Sequence, residues 1–159
     1  MRHQTILAAA ILAAGTLTAS AASVDKQIEV KAPAAKVWGM IGPFCSIKDW
    51  HPAIGKCTES DGVRTLVTKD GKATFVEKQT KNDPSEMEYS YEIQKSPLPI
   101  TDYKSTLKVT KVDANTSKID WSSTYTPDKG KDAAANEAIS GIYQAGLDNI
   151  QKMAGGATP

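Results

Sequence analysis

The sequence has almost no net charge, few aromatic residues and no membrane-length apolar run, and each absence removes a class of function. Its 159 residues carry 19 basic and 18 acidic side chains, a formal net charge of +1. Non-specific nucleic-acid binding and adhesion to anionic membranes draw on clustered positive charge, and no lysine-rich block is present. No apolar stretch reaches the roughly 20 residues of a permanent membrane helix, which excludes a multi-pass membrane protein. The sequence has no H-E-x-x-H, no Cys/His cluster, no G-x-S-x-G elbow and no phosphate-binding glycine loop. Neither a metal nor another cofactor is therefore expected. What remains, 40% hydrophobic and 23% charged, has the composition of one soluble globular domain.

The first residues, MRHQTILAAAILAAGTLTASAAS, have the three parts of a secretory leader. Arg2 supplies the basic start, Ile6 to Leu17 the apolar core, and Ala19-Ser20-Ala21 the small-residue cleavage spacing. The expectation is a signal peptide over 1–21, a mature domain over 22–155 and a flexible tail over 156–159. Losing Arg2 brings the basic residues level with the 18 acidic ones. Cys45 and Cys57 both lie in the mature chain, and an exported protein folds where thiols are oxidised, so they are expected to form one disulfide.

Val24 to Lys31 alternates as an opening strand, and Pro33 stands where a short helix should begin. The segment from Gly42 to Cys57 has no sustained period and reads as a loop with one helical turn. Beyond it, Asp61-Gly62, Asp70-Gly71 and Asn82-Asp83-Pro84 mark turns between alternating segments rich in Val, Tyr, Thr and Ile. Every second residue of those segments gives one face: Arg64, Leu66, Phe75, Glu77, Met87, Tyr89, Tyr91, Ile93, Tyr103, Ser105, Leu107, Val109, Ile119, Trp121, Ser123 and Tyr125. The other face is Thr, Ser, Lys, Glu and Asp. This contrast predicts an antiparallel sheet with one wet and one apolar side. Ile139, Ile142, Tyr143, Gly146, Leu147, Ile150 and Met153 follow helical spacing and predict a long amphipathic helix over 133–154 to cover the apolar side. Gly141 and Gly146 would weaken that helix slightly but permit close approach to the sheet.

Arg64 is the one arginine outside the leader, and it falls on the apolar face with Glu77. A two-residue loop at Asp70-Gly71 makes cross-strand pairs sum to 141, which sets Arg64 directly opposite Glu77 and Leu66 opposite Phe75. A similar loop at Asp61-Gly62 makes pairs sum to 123 and puts Glu59 on the other side of Arg64. A guanidinium on an inner face must be paired or must face a cavity. The pair is therefore either a structural lock on the hairpin or a polar anchor inside an apolar pocket. His51, in Trp50-His51-Pro52, reads as an ordinary loop histidine.

Taken in order, VWGMIGPF, the W-H-P triplet, GVRTL, FVEK, YSYEIQKSPLPITDYKSTLKV and DWSSTY resemble the SRPBCC superfamily and its polyketide cyclase/dehydrase branch. The resemblance implies an α+β, START-like helix-grip fold: a curved antiparallel sheet wrapped around a long C-terminal helix, with short helices after the first strand. It also implies a cavity between sheet and helix for a small hydrophobic ligand. In plant hormone receptors and a tear-factor synthase of this superfamily an Arg, a Glu and a Tyr in the cavity meet the ligand. Arg64 and Glu77 match by motif, and the tyrosine is Tyr91 or Tyr103. With them, Trp121, Leu66 and Phe75 are the candidate ligand-binding residues, and Ser96-Pro97-Leu98-Pro99 resembles the receptors' gate loop. The W-H-P, G-x-R and P-L-P motifs are also similar to MxaD-type periplasmic proteins associated with methanol oxidation. Three functions follow as alternatives. They are ligand binding, cyclase/dehydratase chemistry by Glu77 and Arg64, and an accessory role on a periplasmic oxidoreductase complex. Direct opposition of Glu77 to an arginine favours binding over proton transfer.

Overall fold

The computed structural model describes residues 20–155. Ser20 and Ala21, the last two residues of the expected cleavage motif, fall within it, while the rest of the expected signal peptide and the expected tail 156–159 lie outside the described residues. Seven strands form one antiparallel sheet: β1 (Ala22–Val30), β2 (Ile54–Ser60), β3 (Val63–Thr68), β4 (Thr74–Asp83), β5 (Glu88–Lys95), β6 (Ile100–Lys111) and β7 (Ser117–Pro127). Their spatial order is β1-β7-β6-β5-β4-β3-β2, a meander of hairpins with β1 closing on the last strand. Helix α1 (Ala34–Ile41), a 3₁₀ turn (Phe44–Ser46) and the single-turn α2 (Ile47–Trp50) lie between β1 and β2, and α3 (Asp132–Gly155) follows the sheet. This is the helix-grip arrangement.

Turn chemistry sets the register. Asp61 and Gly62 both have positive φ, 50° and 72°, as a two-residue hairpin with a type I′ turn requires, and Glu59 pairs with Arg64. The other hairpin differs from the expectation. Of the Asp70-Gly71 pair only Gly71 has positive φ. Thr68 N–H donates to Ala73 O (3.0 Å) and Gly71 N–H to Thr68 O (2.9 Å), so the loop is four residues long. Asp70 Oδ1 stiffens it by accepting from Thr68 Oγ1 (2.6 Å) and from the Lys72 amide (3.0 Å). A four-residue loop centred on the same point keeps the same pairing sum, and Arg64 indeed opposes Glu77 while Leu66 opposes Phe75. Register shifts at Val76/Glu77 and Gln79/Lys81 bend β4, and such bulges curve a sheet.

The curved inner face carries the residues that alternation picks out, with Leu66, Tyr89, Tyr91, Leu107, Ile119, Trp121 and Tyr125 all buried. Met87 departs from that set. It sits in the turn before β5 with φ 51° and is only half-buried, because Pro84–Met87 is consumed by the turn rather than by the strand. From α3, Ala135, Ile139, Tyr143, Gly146, Leu147, Ile150 and Ala154 face the sheet. Met153, expected on that face, is 45% exposed; the 3.6-residue advance from Ile150 brings Ala154 inward instead. Gly146 is where the helix comes closest, since a Cβ there would lie 2.9 Å from both His51 Cδ2 and Trp121 Cζ3. Gly141 has no such neighbour and is exposed, so close approach belongs to one of the two glycines. Cys45 and Cys57 form a disulfide, with Cα atoms 5.6 Å apart, tying the 3₁₀ turn to β2. Among the described residues no helix is long and apolar enough to cross a membrane.

Candidate functional site

Between the sheet, α2 and α3 lies a cavity of about 140 Å³. That is close to the roughly 150 Å³ of an engineered cavity known to hold benzene, so a single ring or a short chain fits. Leu66, Phe75 and Ile93 line it from the sheet, Ile47 and Ile54 from the α2–β2 region, and Ile139 and Ile142 from α3. Leu98 reaches it from the Ser96–Pro99 loop, whose turn is held by Leu98 N–H donating to Ser96 Oγ (3.0 Å). The polar groups on the wall are few: Glu77, Thr68, His51, Trp121 and three tyrosines, Tyr91, Tyr103 and Tyr143.

Arg64 and Glu77 form the expected ion pair, Nε to Oε2 at 2.7 Å. The arginine, expected there with Glu77, is not among the residues that line the cavity. Its side chain is fully enclosed, donates Nη1 to the Phe44 carbonyl, and lies 3.9 Å above the Phe44 ring with Tyr91 and Tyr89 at 5.0 and 5.9 Å. These rings face the cation with their negative π-clouds. Burial alone would lower the guanidinium's pKa, but Glu77 beside it, with the nearby tyrosines, raises it above the usual value. Nη2 has no protein partner among the described residues. Glu77, 6% exposed, stands between Arg64 and the cavity and lines the wall.

The hydroxyl groups form a directed network. Ser105 Oγ donates to the Ser122 carbonyl (2.8 Å), so it must accept from Tyr143 Oη (2.8 Å) and from Trp121 Nε1 (3.1 Å). Tyr143 in turn accepts from Tyr103 Oη. Trp121 Nε1 is shared with Tyr91 Oη (3.2 Å), and its ring stacks on Tyr143 with centroids 4.1 Å apart. Burial pushes the Tyr143 phenol up to about 12 and those of Tyr91 and Tyr103 well above their ordinary value, so all three stay protonated at neutral pH. Both tyrosines left open by the sequence therefore reach the wall, in different roles: Tyr103 is tied to the helix, Tyr91 to the tryptophan.

His51 is a wall residue that sequence reasoning passed over. It is 3% exposed. Nε2 lies 2.9 Å from the Ile142 carbonyl, and Nδ1 is 3.2 Å from the Ala53 amide, which can only donate. The two partners define a neutral ring protonated on Nε2. Burial lowers its pKa, with Arg64 and Lys69 adding to the effect and the Ile142 hydrogen bond opposing it. Ile142 also has Gly146 one turn on in α3, so His51 fills the space that the missing Cβ leaves. The available signal was the W-H-P triplet next to a helix glycine, and neither residue identifies the other in one dimension.

The fold agrees with what comparison finds. The polyketide cyclase/dehydrase and lipid transport family matches residues 21–155, and the chain belongs to it, within the SRPBCC superfamily. Protein XoxI from Bacillus cereus is 34% identical with a TM-score of 0.80, over 84% of this chain and 95% of that one. An uncharacterised Bacillus thuringiensis protein is equally similar, at 34% and 0.80, over 83% and 98%. The norcoclaurine synthase of Thalictrum flavum shares the fold at 18% identity and a TM-score of 0.71, over 91% of this chain and 99% of that one. No curated protein matches.

Proposed function

We propose that the protein is a binding module that encloses one small, largely apolar molecule between its sheet and α3. The observation that carries this reading is the cavity itself: about 140 Å³, walled mainly by aliphatic and aromatic side chains, with Glu77 and three tyrosine hydroxyls at its polar end. Apolar enclosure with a few convergent polar groups is the common construction of small-molecule sites. Membership in a family described by cyclases, dehydrases and lipid transport supports it. Catalysis by Glu77 is the less favoured reading, because Oε2 is committed to Arg64 at 2.7 Å and no second acid or base in the cavity is free to complement it. His51 has both ring nitrogens occupied by protein.

The reading includes export, which rests on the leader-like residues 1–21 and on the Cys45–Cys57 disulfide. A mature mass beginning at Ala22 is the expected outcome. An accessory role beside a periplasmic oxidoreductase rests on the motif resemblance alone. Native mass spectrometry of protein recovered from its own compartment tests the main reading. Wild type should retain a small molecule, and Ile142→Trp, which fills the cavity from α3, should lose it. The same molecule held equally by both proteins would place binding elsewhere and end the proposal.

A further inference from the structure

Resting on that reading, we infer that the cavity selects a neutral or cationic alcohol or amine and rejects a carboxylate of the same shape. The inference comes from which oxygen of Glu77 the ion pair leaves open and from which charge reaches the wall. Glu77 Oε2 is taken by Arg64, while no protein donor among the described residues reaches Oε1. Tyr91 Oη accepts from Trp121 Nε1 and shares its own proton with the neighbouring hydroxyls of Ser105 and Tyr103, so it is engaged by the protein. The two groups are neighbours. Glu77 pairs with Ile93 on β5, and Tyr91 lies two residues along on the same face. One open carboxylate oxygen is the complement of a group that gives a hydrogen bond, a hydroxyl or an amine.

The sign of the charge decides the rest. Among the described residues no lysine or arginine lines the cavity, and Arg64 sits behind Glu77 and Phe44. The remaining titratable ring, His51, is held neutral by its two backbone partners. An anionic ligand would thus be desolvated next to a carboxylate with no cation in contact, the unfavourable case for a buried charge. This reverses what a direct carry-over from the plant receptors implies, where the arginine meets the ligand.

Titration of the folded protein with toluene, benzyl alcohol and benzoate at pH 7, followed by amide shifts in the NMR spectrum, tests the inference with ligands of one-ring size. Benzyl alcohol should bind about tenfold or more tightly than benzoate, the scale of one charge-assisted hydrogen bond, and several-fold more tightly than toluene. Tyr91→Phe, which leaves the carboxylate in place, should keep benzyl alcohol ahead of benzoate. Glu77→Gln should narrow the gap between benzyl alcohol and benzoate to within about threefold. Should that variant unfold because Arg64 loses its partner, the Tyr91→Phe comparison and the wild-type ranking still decide. Benzoate binding as tightly as benzyl alcohol, with shifts confined to cavity residues, overturns the inference and leaves the binding reading intact. Absence of shifts with all three ligands overturns the binding reading itself.

Discussion

Arg64 and Glu77 face each other across one pair of strands, yet they belong to two different interiors. On the arginine's side the inner face is closed: Phe44, Tyr89 and Tyr91 ring the guanidinium, and the 3₁₀ turn that carries Phe44 covers it. On the glutamate's side the same face runs into a cavity under the middle of α3. The comparison teaches that one ion pair serves as a wall. Its cation secures the closed half by holding the Phe44 carbonyl, and its anion presents one oxygen to the open half.

The sharpest way to break that wall is to remove one partner. Arg64→Leu should destabilise the protein by about 3–5 kcal/mol, because Glu77 would be left buried without its cation. Replacing both, as Arg64→Met with Glu77→Leu, should recover most of that loss, measured by urea unfolding. A double variant as unstable as the single one would mean that the Phe44 contact, not the pair, carries the cost. Recovery in the double variant is the outcome expected for a wall whose charge is dispensable for folding and needed only for selection.

A smaller effect separates the two glycines of α3. Gly146→Ala puts a Cβ 2.9 Å from ring atoms of His51 and Trp121, groups packed too tightly to yield, and should cost about 1–3 kcal/mol. Gly141→Ala meets nothing within 4 Å and should instead stabilise the helix by about 0.5–1 kcal/mol. Thermal unfolding of the two variants should shift in opposite directions. Shifts of the same sign would show that α3 is not pinned to the cavity at Gly146.

The smallest expected effect is on pH dependence. His51 has a folded pKa below its unfolded value of 6.5, so the unfolded chain binds the proton more readily. Its contribution to stability is complete above about 6.5 and fades as the pH falls below that value. The lowered carboxylates Asp70, Asp83, Glu88 and Asp113 act only further down, as pH falls through their ordinary range. Between pH 7 and 5 the wild type should therefore lose stability while His51→Gln stays nearly flat. Equal slopes would remove His51 from the account.

The parts of this arrangement that could be read from the sequence are those with a period or a turn. Alternation identified Tyr91, Tyr103, Trp121, Leu66 and Phe75 as inward-facing, and the pairing sum set Arg64 against Glu77 although the Asp70-Gly71 loop is longer than assumed. What escaped lies in the stretch from Gly42 to Cys57, which has no period to read. Its 3₁₀ turn delivers the Phe44 carbonyl that draws Arg64 away from the cavity, and its W-H-P triplet delivers His51 to α3. Both contacts join residues 20 or more positions apart through backbone carbonyls, and a carbonyl leaves no trace in the residue alphabet.

The pairing of β1 with β7 bears on the order in which the molecule can assemble. Every other strand pair joins neighbours in the chain and can form as a hairpin, whereas Val30 must wait for Ser117. Doubling a loop adds only about 0.6 kcal/mol of closure entropy, so the delay lies less in the cost than in the contact order. The late strand also receives the end of α3, where Gln151 Nε2 donates to the Glu29 carbonyl at 3.3 Å; just beyond the strand, Lys36 Nζ of α1 donates to the Ala154 carbonyl at 3.2 Å. The first and last elements of the domain are thus joined in one closing step. A chain emerging from a ribosome holds only an incomplete meander until β7 and α3 are available.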